Sequence, residues 1–300
     1  MSREVSPATG RPYGVSRVCG AARVARSSWY AHQQRRAQPP PPRQRRGPKP
    51  QIAQDRLLEL IREDLAASPF QGEGHRKVWA RLKYGRGLRV SRMRVLRVMR
   101  EHNLLSPYRR PRGEPQAHDG RIGTDGPNEM WGTDAAKVFT QEEGYGWMFV
   151  AVEHWNAECM GWHVSKRGDR FAALEPVAQG VERQFGTREA GAARGLALRM
   201  DHGSQYTSDH FQNQIKWWGI APSFAFVSEP ETNGVAERFI RTLKEQAIYG
   251  RVFRNLEEVR RVVEAFVERY NEQWRVEKNG YRTPREMRAL ACGNGLEKAA

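Results

Sequence analysis

The 300-residue chain is long enough for one large folded domain or two ordinary ones, and its net charge of +16 makes it strongly basic. Its mean hydropathy of −0.78 and the lack of a long apolar run argue against an integral membrane protein. No apolar block follows the N-terminal arginines, so the sequence predicts a cytoplasmic protein without a signal peptide. Three widely separated cysteines, Cys19, Cys159 and Cys292, argue against a disulfide framework and a zinc knuckle.

The positive charge is concentrated in the first third of the chain. Residues 1–100 hold 23 Lys and Arg against 6 Asp and Glu, whereas residues 101–300 hold 27 against 28. A basic region beside a neutral body predicts a nucleic-acid-binding part joined to a second part with another task. The alternative, an arginine-rich surface that only aids solubility, is less favoured because such a surface would not segregate its charge.

The N-terminal third begins with a predicted pair of short helices. They cover residues 13–34 with a turn at "ARSS", within a helical segment 1–36. Four consecutive prolines in 37–50 impose a stiff, basic polyproline spacer. Apolar residues at helical spacing then predict three helices, over 51–67, from 74 to 84 and over 89–104, with Ser91 as the N-cap of the third. Residues 51–105 therefore read as a helix-turn-helix-like DNA-binding domain.

The third of these helices has an apolar and a basic face. Val95, Leu96, Val98 and Met99 are predicted to point inward, and Arg92, Arg94, Arg97 and Arg100 outward. An amphipathic helix with a merely solvated basic face remains an alternative. The residues expected to contact DNA in this domain are His75, Arg76, Lys77, Arg92, Arg94 and Arg97.

After a linker over 106–127, the pattern changes to α/β. Strands are predicted at 129–139, 146–155, 160–167, 195–201 and 221–227, and helices at 169–186, 209–219, 233–249 and 256–274. This order predicts a mixed sheet flanked by helices. The predicted core domain covers 128–290, and 291–300 form a tail.

Three acidic residues have positions that suit chemistry. Asp134 lies within the first strand, Asp201 ends the fourth strand, where an α/β sheet presents residues to ligands, and Glu237 lies one turn into a helix whose predicted N-cap is Asn233. Arg241 and Lys244 follow Glu237 on one helical face, beside a predicted apolar stripe of Ala236, Ile240, Leu243 and Ala247. Glu237 and Arg241 could form an ordinary i,i+4 ion pair. Alternatively, the three carboxylates converge on divalent metal ions, which prefer hard oxygen ligands.

Two other features near these acids have competing interpretations. His202 follows Asp201 and is a candidate general base, but a hydrogen-bonding role is favoured because a metal-activated water needs no separate base. Trp217 and Trp218 could stack on bases, although packing is favoured for aromatics late in a core helix.

The order of motifs resembles that of the DDE transposases of bacterial insertion sequences. The blocks are "WGTD", "DHGSQYTS", a gap of 35 residues between Asp201 and Glu237, "NGVAERFIRTLK" and "YNEQWR" with "NGYRTPREM". The similarity is closest to the second-reading-frame (OrfB-type) product of the insertion-sequence-three family, whose catalytic core is similar to that of retroviral integrases. "VSRVCGAARVARSSWYAH" and "GHRKVWARL" with "VSRMRVLRVMREHNLLSP" resemble the N-terminal helical segments of that family, so the resemblance spans almost the whole chain.

The resemblance implies an RNase H-like core in which Asp134, Asp201 and Glu237 bind Mg²⁺ or Mn²⁺, with two ions expected. It also implies that Lys244, with Arg241 and Asn233, contacts DNA, and that Asn233 and Gly234 shape the loop before the catalytic helix. Gly203, Ser204 and Gln205 follow the second acid as the family motif requires. Many relatives have Asp-Asn-Ala before the catalytic helix, whereas this chain has Thr232-Asn233-Gly234-Val235-Ala236, which leaves the role of Thr232 open.

The implied activity is cleavage of insertion-element ends followed by transfer of the freed 3′-OH to a second phosphodiester. DNA ends must meet, so a homo-oligomer on DNA is expected in a bacterial, nucleoid-associated location. The family's second-frame product is often fused to a first-frame segment, and this chain has no heptad run, so a first-reading-frame protein is a further expected partner. The alternatives are a catalytically silent DNA-binding regulator and an RNase H-like nuclease that cleaves without joining.

Overall fold

The computed structural model describes residues 3–37, 50–106, 123–225 and 233–298, with side chains described as far as Ala291. Most of the predicted proline spacer, most of the 106–127 linker, Thr232 and the side chain of Cys292 lie outside this part of the chain. The chain divides into two compact units, residues 1–51 and residues 52–300. Among the described helices, none is both long and apolar enough to cross a membrane.

The first unit contains the predicted helical pair. Helix α1 is Gly14–Ala21 and helix α2 is Arg26–Ala37. The turn between them lies at residues 22–25, so the prediction of a turn at "ARSS" is wrong, and Arg26, Ser27 and Ser28 begin α2 instead.

The second unit begins with the three predicted helices of the helix-turn-helix-like domain. They are α3 (Gln54–Ala67), α4 (His75–Ala80), which continues into a π-helical turn over Arg81–Gly85, and α5 (Arg92–Glu101). Ser91 caps α5 as predicted, since its hydroxyl accepts a hydrogen bond from the Arg94 backbone N–H at 3.2 Å. Val95, Val98 and Met99 are fully buried, but Leu96 is only half-buried, so the apolar face is narrower than predicted.

A five-stranded sheet forms the centre of the remaining part. Its strands are β1 (Met130–Thr140), β2 (Gly144–Glu153), β3 (Cys159–Ser165), β4 (Ala197–Met200) and β5 (Ala221–Phe224). The order is β3-β2-β1-β4-β5, in which β1, β2 and β3 are antiparallel neighbours and β4 and β5 run parallel to β1. This mixed sheet flanked by helices has the RNase H-like topology that the resemblance implied.

Helices cover both faces of the sheet because side chains alternate between its faces. On one face lie α9 (Gly234–Leu243), which continues into a π-helical turn over Lys244–Ile248, and α10 (Leu256–Gln273). On the other face lie α6 (Arg170–Phe185), the short α7 (Ser204–Thr207) and α8 (Asp209–Trp217).

The C-terminal helix α11 (Pro284–Lys298) runs through most of the segment expected to be a tail. Its start carries a capping box, in which Thr283 Oγ1 accepts from the Glu286 N–H at 3.1 Å and Glu286 Oε2 accepts from the Thr283 N–H at 2.9 Å. The helix is tied to the sheet by Arg288, which forms ion pairs with the buried carboxylates of Glu153 and Glu158. The Thr-Pro-Arg-Glu pattern was the sequence signal for this helix.

Candidate active site

Asp134 lies in the middle of β1 on the face that meets α9. Its neighbour on that face, Ala136, packs with Phe239 and Ile240 of α9. One carboxylate oxygen, Oδ1, accepts a hydrogen bond from the Ala135 N–H at 2.7 Å. Burial, together with the negative charges of Asp201 and Glu237, nevertheless raises the pKa of Asp134 from 3.8 to about 6, although this hydrogen bond and the charge of Lys244 act to lower it.

Asp201 follows the last residue of β4, which is the neighbour of β1 in the sheet. Its side chain is exposed, and Oδ1 accepts a hydrogen bond from the Gly203 N–H at 2.8 Å. The residue therefore closes a turn into α7 while one side of its carboxylate faces solvent. Capping the turn and binding a ligand are compatible at this position.

Glu237 lies one turn into α9, at the border between its buried and exposed faces. The predicted apolar stripe of this helix is confirmed, since Ala236, Ile240, Leu243 and Ala247 are all buried. Glu237 and Lys244 are half-buried, and Lys244 is the first residue of the π-helical turn. The Glu237–Arg241 ion pair stays a prediction.

The three acids come from β1, the end of β4 and α9, and the charges of Asp201 and Glu237 both raise the pKa of Asp134. Within the described residues, however, no three His, Cys, Asp or Glu side chains form a ready set of metal ligands. The two observations differ because a Coulomb interaction reaches much farther than the 2.0–2.1 Å of a Mg²⁺–oxygen bond. The donor chemistry suits a divalent cation, since carboxylate oxygens are hard ligands and a cation would relieve the repulsion that, after burial, contributes to the raised pKa of Asp134.

Tyr206 is a buried neighbour of this site that sequence reasoning missed. It is fully buried, and burial raises the pKa of its hydroxyl, with further increases from the charges of Asp134 and Asp201. The signal available was its place within "DHGSQYTS", five residues after Asp201, which begins the motif. Its ring also packs edge-on against Phe211, with 5.4 Å between the ring centroids.

Asn233 occupies the residue before α9, but its side chain does not cap the helix. Its Nδ2 donates a hydrogen bond to the Thr133 carbonyl at 2.9 Å, and the residue is only 3% exposed. The predicted N-cap position of Asn233 is therefore confirmed, although its side chain makes no capping hydrogen bond, and a buried amide is badly placed for the predicted DNA contact. The buried His154 lies nearby, because a Cβ on Gly132 would come within 2.8 Å of Asn233 Oδ1 and 2.9 Å of His154 Nε2.

His202 and the paired tryptophans mainly have structural contacts. The Nε2 atom of His202 lies 3.0 Å from the Ala225 carbonyl and its ring stacks on Phe224, which agrees with the favoured hydrogen-bonding role. Trp218 is buried and donates to the Arg188 carbonyl at 3.0 Å, so packing is confirmed for it. Trp217 is 52% exposed, and the packing prediction is wrong for that residue because it lies on the outer side of α8.

The basic residues predicted to contact DNA have different environments in the helix-turn-helix-like domain. Arg76 and Arg92 both approach Glu277, at 2.5 and 3.9 Å, and remain about half exposed. Arg97 lies 3.7 Å from Glu101 on the same helix, and His75 is half-buried.

Two of the residues predicted to contact DNA, Arg94 and Lys77, make contacts inside the protein. Arg94 donates to the Ile52 carbonyl at 2.5 Å, so its guanidinium is turned back toward the start of α3. The Lys77 ammonium lies over the ring of Trp274 and 3.5 Å from Glu73, and burial holds its pKa well below the usual value. Lys77 therefore lies between the helix-turn-helix-like domain and the catalytic core, and its ammonium is not on a surface available to DNA.

Comparison with known protein families finds matches in two parts of the chain. The integrase core domain family matches residues 124–230 and 218–284, and the HTH-like domain family matches residues 53–112. The chain is 30% identical over 295 residues to the transposase InsD for insertion element IS2A/D/F/H/I/K of Escherichia coli, covering 95% of this chain and 94% of that protein. The chain belongs to the DDE transposases of the insertion-sequence-three family. It is a DNA-cleaving and strand-transferring enzyme of DNA transposition.

The transposase is similar to other proteins as well. It is 29% identical over 300 residues to an uncharacterized 48.2 kDa protein of insertion element IS2A from Escherichia coli, covering 97% of this chain and 68% of that protein. Among solved structures, it is similar to the catalytic core domain of BIV integrase, with 18% identity, 58% of this chain and 99% of that chain covered, and a TM-score of 0.38.

Proposed function

We propose that Asp134, Asp201 and Glu237 are the catalytic residues of this transposase and its ligands for Mg²⁺ or Mn²⁺, with two ions in the working site. The observation that supports this proposal is electrostatic. The charges of Asp201, Glu237 and Lys244 all act on the pKa of Asp134, although these residues come from distant parts of the sequence. Carboxylates whose negative charges raise the pKa of another carboxyl group are an arrangement that a divalent cation stabilises.

When bound, such ions would activate an attacking oxygen and stabilise the oxygen that leaves a phosphodiester. Contacts within the protein fix the positions of the three carboxylates. Asp134 is fixed by its hydrogen bond to the Ala135 N–H, and Asp201 by its hydrogen bond to the Gly203 N–H. Glu237 is held by the burial of its helix, whose start is fastened to β1 by Asn233.

The proposed DNA contacts follow from exposure and charge. Lys244 and the exposed Arg241 lie beyond Glu237 on α9 and its π-helical turn, where they would bind phosphates close to the acids. Arg76, Arg92, Arg97 and the half-buried His75 would bind DNA from the helix-turn-helix-like domain. Asn233, Arg94 and Lys77 are better explained by their internal contacts.

The proposed reaction consists of two in-line displacements on DNA. Water attacks a phosphodiester at the element end, which breaks the P–O3′ bond and leaves a free 3′-OH on the element. That 3′-OH then attacks a target phosphodiester, which forms a new P–O bond and releases a 3′-OH from the target strand. Neither step forms a covalent bond to the protein, so catalysis depends on positioning and on charge at the phosphate.

The setting of this reaction is also part of the proposal. Two element ends must meet, so we expect a homo-oligomer on DNA, with a first-reading-frame protein as a further partner or fusion segment. The working location is the bacterial cytoplasm at the nucleoid. The domains are a helical segment over 1–36, a spacer over 37–50, a DNA-binding domain over 51–105, a linker over 106–127 and the catalytic core from 128 to 290, with 291–300 at its end.

The test is strand cleavage and joining by the purified chain on a 5′-labelled element-end duplex in Mg²⁺, with products separated on denaturing gels. Asp201→Asn should reduce cleavage by at least about 100-fold, which corresponds to about 2.7 kcal/mol of transition-state stabilisation. Asp209→Asn, the same change at an exposed residue that begins α8, is the matched control and should retain wild-type cleavage.

The products also separate the competing functions. Shortened and elongated strands together support a transposase with this site. Shortened strands without joined products would indicate a non-joining nuclease, and DNA binding without cleavage would indicate a silent regulator. Undiminished cleavage by Asp201→Asn would show that the proposed catalytic site is wrong.

A further inference from the structure

The helix-turn-helix-like domain packs directly against the catalytic core. Phe70, in the loop between α3 and α4, belongs to the apolar cluster formed by β1, β2, α9 and α10. Its ring meets Trp274, just after α10, edge to face with 4.9 Å between the ring centroids. Lys77 covers the same tryptophan ring, so an apolar anchor and a buried cation join the two domains at one point.

A second contact lies one residue after Phe70 and reaches the end of the catalytic helix. The Gln71 N–H donates to Gln246 Oε1 at 2.9 Å, and Gln246 Nε2 donates to the Gln71 carbonyl at 2.8 Å. The oxygen and the nitrogen of the Gln246 side-chain amide are thus both hydrogen-bonded to the backbone of Gln71, through its N–H and its carbonyl. Such a two-point contact fixes orientation as well as distance, because neither hydrogen bond can keep its geometry if the amide rotates.

Gln246 lies in the middle of the π-helical turn over Lys244–Ile248, and Lys244 begins that turn. A π-helical turn replaces the regular hydrogen bonds of an α-helix, and such turns often occur at functional sites. The place of Lys244 relative to the acids therefore depends on how this turn is held. Two contacts fix the turn. Ala247 is buried in the apolar core, and Gln246 is hydrogen-bonded to the backbone of Gln71.

The same domain interface includes the arginines proposed to contact DNA. Glu277, in the segment after α10, pairs with Arg76 and Arg92. DNA bound by these arginines would thus lie on a domain whose loop is fastened to the Lys244 turn.

We infer that Gln246 is a positioning residue: through its paired hydrogen bonds with the Gln71 backbone, it couples element-end binding by the helix-turn-helix-like domain to the position of Lys244 beside the catalytic acids. This inference rests on the proposed function. It predicts that Gln246 governs the preference for element-end DNA over other DNA, and not the ability to bind or cut DNA.

The experiment compares single-turnover cleavage of an element-end duplex and of a scrambled duplex in Mg²⁺, together with the affinity of the chain for both. Gln246→Ala should lower the ratio of the two cleavage rates about 10-fold, with DNA affinity and thermal unfolding close to wild type. Gln246→Glu keeps the acceptor for the Gln71 N–H and loses the donor, so it should give an intermediate ratio.

Two control variants make the test specific. Gln71→Ala keeps the backbone groups that pair with Gln246 and should behave as wild type. Glu245→Ala shortens an exposed side chain of the same π-helical turn and should also keep the wild-type ratio.

Each other outcome contradicts the inference. If Gln246→Ala keeps the wild-type ratio, or if Gln71→Ala and Glu245→Ala lower it equally, Gln246 has no positioning role. If the wild-type chain cleaves both duplexes at equal rates, the coupling is wrong while the proposed function stands. If the wild-type chain cleaves neither duplex, the proposed function fails and the inference fails with it.

Discussion

The side chain of Asn233 donates a hydrogen bond to the carbonyl of Thr133 at 2.9 Å, across 100 residues of sequence. Thr133 immediately precedes Asp134, and Asn233 immediately precedes the helix that carries Glu237. One buried hydrogen bond therefore connects β1, which carries Asp134, to the start of α9, which carries Glu237.

Removal of this connection should slow catalysis more than it weakens DNA binding. In Asn233→Ala, we expect cleavage to fall about 10- to 100-fold, because small displacements of reacting groups are costly to rate. Asn255→Ala is the control, since it also removes an asparagine at a helix start, where Oδ1 accepts from the Glu258 N–H. Single-turnover cleavage and DNA affinity measure the two effects. Equal cleavage rates in the two variants would contradict this role of Asn233.

Gly132 should tolerate no larger residue. In Gly132→Ala, the added Cβ would lie 2.8 Å from Asn233 Oδ1 and 2.9 Å from His154 Nε2, both in buried side chains. We expect the free energy of unfolding to fall by about 1–3 kcal/mol, as for other overpacked sites. Gly85→Ala is the control, because a Cβ there meets nothing within 4 Å. Urea unfolding of both variants is the measurement, and a stable Gly132→Ala protein would show that this close approach is not rigid.

Asp134 should make stability depend on pH in the metal-free protein. Its pKa in the folded protein is about 6 against an ordinary value of 3.8, so between these values the folded state holds a proton that the unfolded state has lost. Its contribution is fully present below pH 3.8 and is lost as the pH rises through about 6. The shift corresponds to about 3 kcal/mol at most. Asp134→Asn should remove this dependence, measured as urea unfolding in a chelator from pH 4 to pH 8.

The same variant tests metal binding without an activity assay. Addition of Mg²⁺ at pH 8 should raise the unfolding temperature of the wild type, because an ion bound only by the folded state stabilises it. Asp134→Asn should show a much smaller increase, whereas Asp209→Asn should respond as the wild type does. An equal increase in all three proteins would contradict Asp134 as a ligand.

Arg288 should be needed for folding. Its guanidinium pairs with the carboxylates of Glu153 and Glu158, whose side chains are 0% and 5% exposed. Arg288→Ala would remove the ion pair of the buried Glu153 and leave Glu158 with only its 3.5 Å pair to Arg183, and we expect a loss of about 3–5 kcal/mol in unfolding free energy. Arg285→Ala, which breaks the exposed pair with Glu272, should cost less than about 1 kcal/mol. Denaturant unfolding measures both, and similar losses would contradict the argument.

Lys77 and Arg92 should differ in their effect on DNA binding, although both were predicted to contact DNA. Arg92→Met should weaken binding and reduce the slope of log affinity against log salt concentration by about 1, because one phosphate contact is lost. Lys77→Met should leave the slope unchanged, because its ammonium lies over Trp274 inside the protein. Binding titrations at several salt concentrations make the comparison. A reduced slope in Lys77→Met would show that this lysine reaches DNA.

The sequence predicted the three acids proposed as catalytic and the elements that carry them because those signals are local. Alternating apolar residues predicted β1 and its neighbours, helical spacing predicted α9 and α10, and the distance from Asp201 to Glu237 fitted a known motif. A local signal was also present for α11, in the capping box at Thr283 and Glu286, which lies before the segment predicted to be a tail.

What the sequence by itself determined is therefore the type of fold and the family, and it also supplied the three acids that are proposed as catalytic. Only the tertiary structure decided which polar side chains face inward. The sequence pattern around a basic residue is the same whether its side chain contacts DNA or packs on an aromatic ring from a distant part of the chain. Lys77, which lies over Trp274, is the second case. Asn233 likewise reads as a helix cap, yet its amide pairs with Thr133, because β1 passes beside the start of α9 only after the sheet and its helices have packed.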